Sequence, residues 1–251
     1  MGSKGGLRHL KRLASPSFWP IHRKEKVWVS KPKPGPHPLW KSMPLLVLLR
    51  DFLKVAKTAK EAKIILAGGD VKVDGVKKFD VKYSIGLMDV VEISSMNITY
   101  RVISSPSRMF QLHPITDEEK TFKLNRVENK TSIKGGNIQL GLHDGKNLTI
   151  KIDNPSEPIK DFYNVHDVLK INLLDNQILE HLKFTKGAYA LITGGKNTGR
   201  HGNIIRIEET ASSTQPIIVV KDSAGNEYAS IIEYIFIIGK DISLISLPER
   251  T

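Results

Sequence analysis

The side chains of this chain best placed to do chemistry are cations spaced for a polyanion. Lys57, Lys60 and Lys63 recur at three-residue intervals, and Lys72 and Lys77 flank an Asp74-Gly75 dipeptide. Further on, Gly194-Gly195-Lys196-Asn197-Thr198-Gly199-Arg200-His201-Gly202 sets basic and amide side chains among glycines whose open backbone suits phosphate or sugar edges. The nucleotide-binding Walker pattern fails there, because Asn197 follows Lys196 and Ala190 stands at the first glycine position. A glycine-required turn with chance charges is the competing reading. His143-Asp144 and His166-Asp167 are the other candidates. Neighbours on a strand point to opposite faces, so neither pair acts jointly, and solvated turn histidines are expected.

The elements that must hold these cations are short. Thr58 and Glu61 form a capping-box pattern that starts a helix, and Gly68 and Gly69 end it. Ala59, Ala62, Ile65 and Leu66 then face a core and leave Lys60 and Lys63 on an open side. Around Asp74-Gly75 a two-residue hairpin pairs Val73 with Val76 and Lys72 with Lys77. Opposed lysines repel by a few tenths of a kcal/mol or somewhat more, roughly, which favours a polyanion over that face; a solvated lysine-rich hairpin is the alternative. Upstream, Pro44 suits a first helical position, and Leu45, Leu48, Leu49, Phe52 and Leu53 give an apolar stripe in a helix ending near Ala56. Met88 to Glu92 and Asn97 to Val102 read as strands, completing a helix-helix-sheet unit.

Charge is concentrated ahead of that unit. The 251 residues carry a net +12 and no cysteine, and residues 1–41 hold ten Lys and Arg against Glu25 alone, leaving 28 cations against 25 anions for the rest. All three tryptophans and six of thirteen prolines also fall within residues 1–42. Arg8, Lys11, Arg12, Arg23, Lys24, Lys26 and Lys33 would neutralise phosphates while Trp19 and Trp28 stack on unpaired bases. We expect a leader that is disordered alone and ordered by its partner, with a polyproline-like arm from Lys31 to Pro38. Tryptophans that dock on the following domain, a solvated linker or an SH3 ligand are the other readings. The prolines interrupt any amphipathic membrane helix, no run of apolar residues is long enough for a span, and no signal-peptide core is present, so a cytosolic location is expected.

The remainder reads as β. Ile138, Leu140 and Leu142 alternate before Asp144-Gly145, and Leu148, Ile150 and Ile152 after it. A three-residue loop pairing Leu142 with Leu148 keeps both apolar sets on one face. Leu169, Ile171 and Leu173 form another strand. The segments flanking the glycine loop, with Ile217 to Val220, Glu227 to Ala229 and Tyr234 to Ile238, suffice for a small closed barrel.

Several stretches resemble known families. The order Lys60, Ala62, Lys63, Leu66, Gly69, Val71, Val73, Asp74, Gly75 resembles the S-four RNA-binding domain, which implies RNA contacts for Lys57, Lys60, Lys63 and Lys72. The spacing Gly187, Gly195, Gly199, Gly202 resembles the KOW motif of SH3-like barrels, which implicates Lys196, Asn197, Arg200 and His201. As a whole the chain resembles the S-four-e family of archaeal and eukaryotic small-subunit ribosomal proteins, most specifically in Arg8 to Leu13, Trp19-Pro20-Ile21, Arg23-Lys24, Lys33-Pro34-Gly35-Pro36-His37, Pro44-Leu45 and Gly195 to Arg200.

The resulting expectation is an α+β multidomain chain, mostly β. It comprises a basic N-terminal extension (1–42), an S-four-type RNA-binding domain (43–105), a central β domain (106–175), a C-terminal SH3-like KOW barrel (176–240) and a tail (241–251). The resemblance implies a non-enzymatic structural component of the cytoplasmic small ribosomal subunit, in contact with its ribosomal RNA and neighbouring proteins. No cofactor, metal, membrane or small-molecule substrate is expected. The rivals are an RNA-modifying enzyme, for which residues after 105 offer no convergent acid-base set, and a visiting elongation-type factor. Removing residues 1–41 is expected to shrink the slope of log K against log salt by about five units; an unchanged slope would refute the leader's role.

Overall fold

The computed structural model describes residues 8–106, 109–152, 162–208 and 215–248, and it is mostly β with few helices. Residues 1–7 of the expected leader and 249–251 of the expected tail lie outside the described residues. Two compact units result, the first ending at Ile98 and the second starting at Thr99.

In the first unit the leader is folded in, which corrects the expectation of an arm ordered only by a partner. Leu10 and Lys11 pair antiparallel with Val29 and Trp28, and Arg12 N donates to Val27 O at 2.9 Å. Trp19 is 1% exposed, and its Nε1 donates to Ser42 O at 2.9 Å. An indole buries a large apolar surface, and bonding its one N-H removes the cost of desolvating that group. Arg12 is buried as well, with Nε and Nη2 donating to Ile21 O and Nη1 to Ser15 Oγ. His37 fixes the proline segment. Its Nε2 lies 3.1 and 3.0 Å from the two carboxylate oxygens of Asp89, which also accepts from Gly86 N at 2.8 Å. Gly86 has to be glycine, since a Cβ there would enter the His37 ring.

Pro44 closes the strand Ser42–Pro44, paired with Ser84–Gly86, and the helix starts one residue later than expected. Leu45–Val47 runs directly into a π-helix, Leu48–Phe52, whose wide turn is closed by Leu53 N donating to Leu48 O at 2.8 Å. Five successive buried residues, Leu45 to Leu49, explain why the segment does not keep a one-sided stripe. The helix Ala59–Ala67 forms as expected: Thr58 Oγ1 accepts from Glu61 N at 3.2 Å, and Glu61 reaches back to Lys57 N at 2.7 Å. Gly68 is still right-handed, and Gly69, at φ +76, makes the turn. Next comes the hairpin in the expected register, Lys72↔Lys77 and Val73↔Val76. Asp74 and Gly75 both adopt the positive φ of a type I′ turn.

The second unit holds two five-stranded antiparallel sheets. In one, Phe122–Ser132 lies at the centre, flanked by Ile138–Leu142 and Asn147–Ile150 on one side and Val168–Asn172 and Ile178–Leu182 on the other. Val127, Leu140, Leu142, Leu169 and Ile171 fill its core. The hairpin keeps both apolar sets on one face, but its register is two residues from the expected one: Leu140 pairs with Leu148 and Ile138 with Ile150. Gly145, at φ +76, takes the third loop position after His143 and Asp144, where a left-handed residue is needed.

Neither His-Asp pair is a solvated turn. Asp144 is buried, 3.3 Å from Lys123 Nζ, and accepts from Asn125 Nδ2 at 2.9 Å. His143 Nδ1 accepts from Arg126 N, and its ring meets Phe236 edge-on. Asp167 is buried against His181 and accepts from Asn164 N and Phe184 N.

In the other sheet, Tyr189–Ile192, His201–Glu208, Ile217–Lys221 and Glu227–Ile231 form a meander, and Ile235–Gly239 returns beside the first strand after the 3-10 turn Ile232–Tyr234. Arg126 joins the two sheets, donating through Nη1 to Glu233 O at 2.7 Å and Ile235 O at 2.9 Å. Among the described residues no helix is long and apolar enough to cross a membrane.

Burial would raise the Asp144 carboxyl, but Lys123, His143 and the bonds from Lys146 N and Asn125 outweigh it and hold it below the usual range. A depressed carboxyl stabilises the fold above its unfolded value, and that contribution is lost as pH falls through the folded one. Replacing Asp144→Ala removes the carboxylate that pairs with the buried Lys123 ammonium and is expected to cost about 3–5 kcal/mol. Chemical denaturation followed by circular dichroism checks this. The parent should weaken as pH drops below about 4, and the variant should be weak already at neutral pH.

Candidate nucleic-acid interface

The first unit presents its cations in fixed places. Lys57, Lys60 and Lys63 are all exposed along the start and outer side of Ala59–Ala67, with Ile64 exposed among them. Residues 60, 63, 64 and 67 share a helix face, so two ammonium groups flank an apolar side chain. On the hairpin the lysines have parted company. Lys72 Nζ bonds Glu92 Oε1 at 2.8 Å, so the opposed pair no longer requires a polyanion. Lys77 remains exposed, and both it and Phe79 lie against Gly69. Phe79 is 62% exposed beside these lysines. Sequence reasoning missed it, although a lone aromatic after Val76-Lys77-Lys78 was a usable signal.

Along the leader, Arg8, Lys11, Arg23, Lys24, Lys26 and Lys33 are exposed. Trp28 is 58% exposed, with the Lys11 ammonium 5.8 Å from its ring centre and the His9 ring 5.6 Å away. The Leu10↔Val29 and Lys11↔Trp28 pairing puts this cation beside that aromatic face, the geometry that stacking on a base with neutralisation of its phosphate would require. Trp19 and Arg12 are different. Their side chains are committed inside the unit, which takes both out of the expected contact set.

In the second unit the glycine loop is braced from within. Gly195 and Gly199 both lie at φ +80, and a Cβ at Gly199 would meet Pro106 at 2.5 Å. A Cβ at Gly202 would run into the Lys221 backbone. Asn197 Nδ2 donates to Ala229 O at 3.0 Å, and Thr198 Oγ1 donates to Gly195 O at 2.6 Å. Tyr189 OH and His201 Nδ1 lie 2.8 Å apart. Asn197 and His201 therefore shape the loop, while Lys196 and Arg200 are exposed at its surface. Arg200 lies 4.3 Å above the Tyr228 ring and bonds the phenol oxygen at 2.6 Å. Tyr228, which sequence reasoning missed, thus holds the guanidinium in place. Among the described residues no group of three or more metal-ligating side chains occurs.

Comparison with known proteins places this geometry in context. Residues 96–178 match the model of "Ribosomal family S4e", and residues 4–40 match that of the "RS4NT (NUC023) domain". The chain is 46% identical to small ribosomal subunit protein eS4 of Desulfurococcus amylolyticus and 45% identical to that of Staphylothermus marinus, each over 99% of both chains. It is also similar to the crystal structure of 30S ribosomal protein S4e from Thermoplasma acidophilum, with TM-score 0.66 and 34% identity over 80% of this chain and 96% of that one.

Two tryptophans separate structure from contact. Trp19→Ala is expected to destabilise the first unit by about 3–5 kcal/mol. Trp28→Ala should leave stability within about 0.5 kcal/mol and weaken RNA binding by about 1–3 kcal/mol. Thermal melts with RNA titrations check both. Equal melting losses for the two variants would contradict the assignment.

Proposed function

The chain belongs to ribosomal family S4e, and from that premise we propose that it lies against small-subunit ribosomal RNA as a rigid, multi-point cationic surface. It is a structural constituent of the small ribosomal subunit, works in translation in the cytoplasm and catalyses no reaction. Near full-length similarity to eS4 proteins at 46% identity is the observation that carries this. The resident role follows from it, whereas a visiting factor would share one module and not the entire chain.

The contact set we assign is the exposed one: Arg8, Lys11, Arg23, Lys24, Lys26, Trp28 and Lys33 on the leader, Lys57, Lys60, Lys63 and Lys77 on the helix and hairpin, Lys196 and Arg200 on the glycine loop. Phosphate contacts set register and supply affinity through released counterions, and Trp28 adds stacking. Residues 43–105 act as an S-four-type RNA-binding domain, with support from the capped basic helix and the type I′ hairpin. Residues 106–175 form a central β domain, and 176–240 a KOW-bearing SH3-like barrel. The strand order of the C-terminal sheet supports the last assignment, because a four-strand meander whose fifth strand returns beside the first is how such a barrel closes.

Charge variants test this better than leader deletion, because deletion also removes the core residue Trp19. Lys57→Gln/Lys60→Gln/Lys63→Gln should lower the salt slope of RNA affinity by about three units. The parent should also stay with small subunits through a high-salt wash and sedimentation. Release into the supernatant, or a triple variant with the parental slope, would contradict the proposal.

A further inference from the structure

Resting on this RNA-binding reading and extending it, we infer that the groove beneath the proline segment receives a single nucleotide of RNA extruded from its helix. The groove is open to one side, has a volume of about 830 Å³ and is lined by residues 31–39 with Arg8 and Lys82. That volume is in the range of small-ligand sites. Four cations line it: Arg8, Lys31, Lys33 and Lys82. Asp80 is a nearby counter-charge, and it forms an ion pair with Lys33. Burial would raise the Asp80 carboxyl, yet Lys33 and the Lys82 backbone bring it below its ordinary value, so it stays charged beside Lys33 and Lys82.

The rest of the wall is apolar. Prolines 32, 34, 36 and 38 present ring faces without N-H groups and hold φ fixed. The arm is held before any ligand arrives, because His37 is buried against Asp89 and Lys33 N donates to Lys82 O at 3.0 Å. A Cβ at Gly35 would stand 3.0 Å from the buried Ser84 hydroxyl, which has no hydrogen-bond partner among the described residues.

Cations beside apolar pyrrolidine rings in a concavity suit a ligand that is anionic at one end and offers an apolar π-face to the ring C-H groups at the other. A duplex backbone is convex and does not enter. A free phosphate leaves the prolines idle, and an acidic peptide without aromatic side chains offers no π-face to pack on them. A nucleotide swung out of an RNA loop or bulge satisfies both requirements, and walls set in advance reduce the ordering cost of binding.

Photocrosslinking of full-length protein to small-subunit ribosomal RNA carrying 4-thiouridine tests the assignment. Crosslinked nucleotides are expected on the peptide spanning 31–39 and also on the Ala59–Ala67 helix. Lys31→Glu/Lys82→Glu should abolish the first crosslink, keep the second, lower affinity about tenfold or more and reduce the salt slope by about two units. Arg8→Gln/Lys82→Gln, which disturbs folding less, should show the same loss in weaker form. Crosslinks on the helix with none on 31–39, crosslinks from this groove to an acidic protein segment in the assembled subunit, or variants with parental affinity and slope would each overturn the nucleotide pocket alone. Absence of crosslinks anywhere in the parent would overturn the RNA-binding reading with it.

Discussion

Burying the Trp19 indole is the constraint on which the arrangement of the first unit depends. A leader carrying ten cations gains nothing from packing on itself, because like charges repel and each fixed residue costs roughly 1–2 kcal/mol of backbone entropy. Trp19 under the Ser42 carbonyl, Arg12 clasping Ile21 and Ser15, and His37 against Asp89 supply the opposing free energy. Once these anchors are set, Lys11, Trp28 and Lys33 stand at fixed places. Binding a polyanion then releases counterions without first having to order the chain.

The second unit solves a related problem with buried polar groups. Asp144 and Lys123 neutralise each other inside the central sheet, and Arg126 spans from that sheet to two carbonyls of the C-terminal one. Such groups are costly unless every partner is present, so they fix a single docking of the sheets. A loop supported on that docked body can hold Arg200 over Tyr228. The glycines at 199 and 202 serve the same end by letting backbone pass where a side chain would collide.

What was legible in the sequence follows from how local the cause was. The Asp74-Gly75 turn dictates its own register, so Lys72↔Lys77 was readable from a few residues. Thr58 and Glu61 cap their helix by contacts within one turn. At Asp144-Gly145 the alternation preserved which face is buried and the three-residue loop forms, but such a loop sets Leu142 opposite Lys146, whereas pairing Leu142 with Leu148 would leave five residues in the loop. The π-helix Leu48–Phe52 was illegible because an apolar stripe at helical spacing does not distinguish a wide turn from a regular one. Trp19 and Trp28 look alike in composition. One sits in Trp19-Pro20-Ile21 and the other in Val27-Trp28-Val29, both with apolar neighbours, and only packing assigns the first to the core. Lys72 finding Glu92, twenty residues on, was likewise out of reach of a local argument.

Amide hydrogen exchange on the free protein tests the central claim most directly. If the leader is folded onto the first unit before any RNA is met, Arg12 N, bonded to Val27 O, and Ile21 N, bonded to Trp19 O, will exchange as slowly as amides of the Ala59–Ala67 helix. Exchange of residues 10–29 at the rates of an unstructured peptide, while residues 43–98 stay protected, would contradict it.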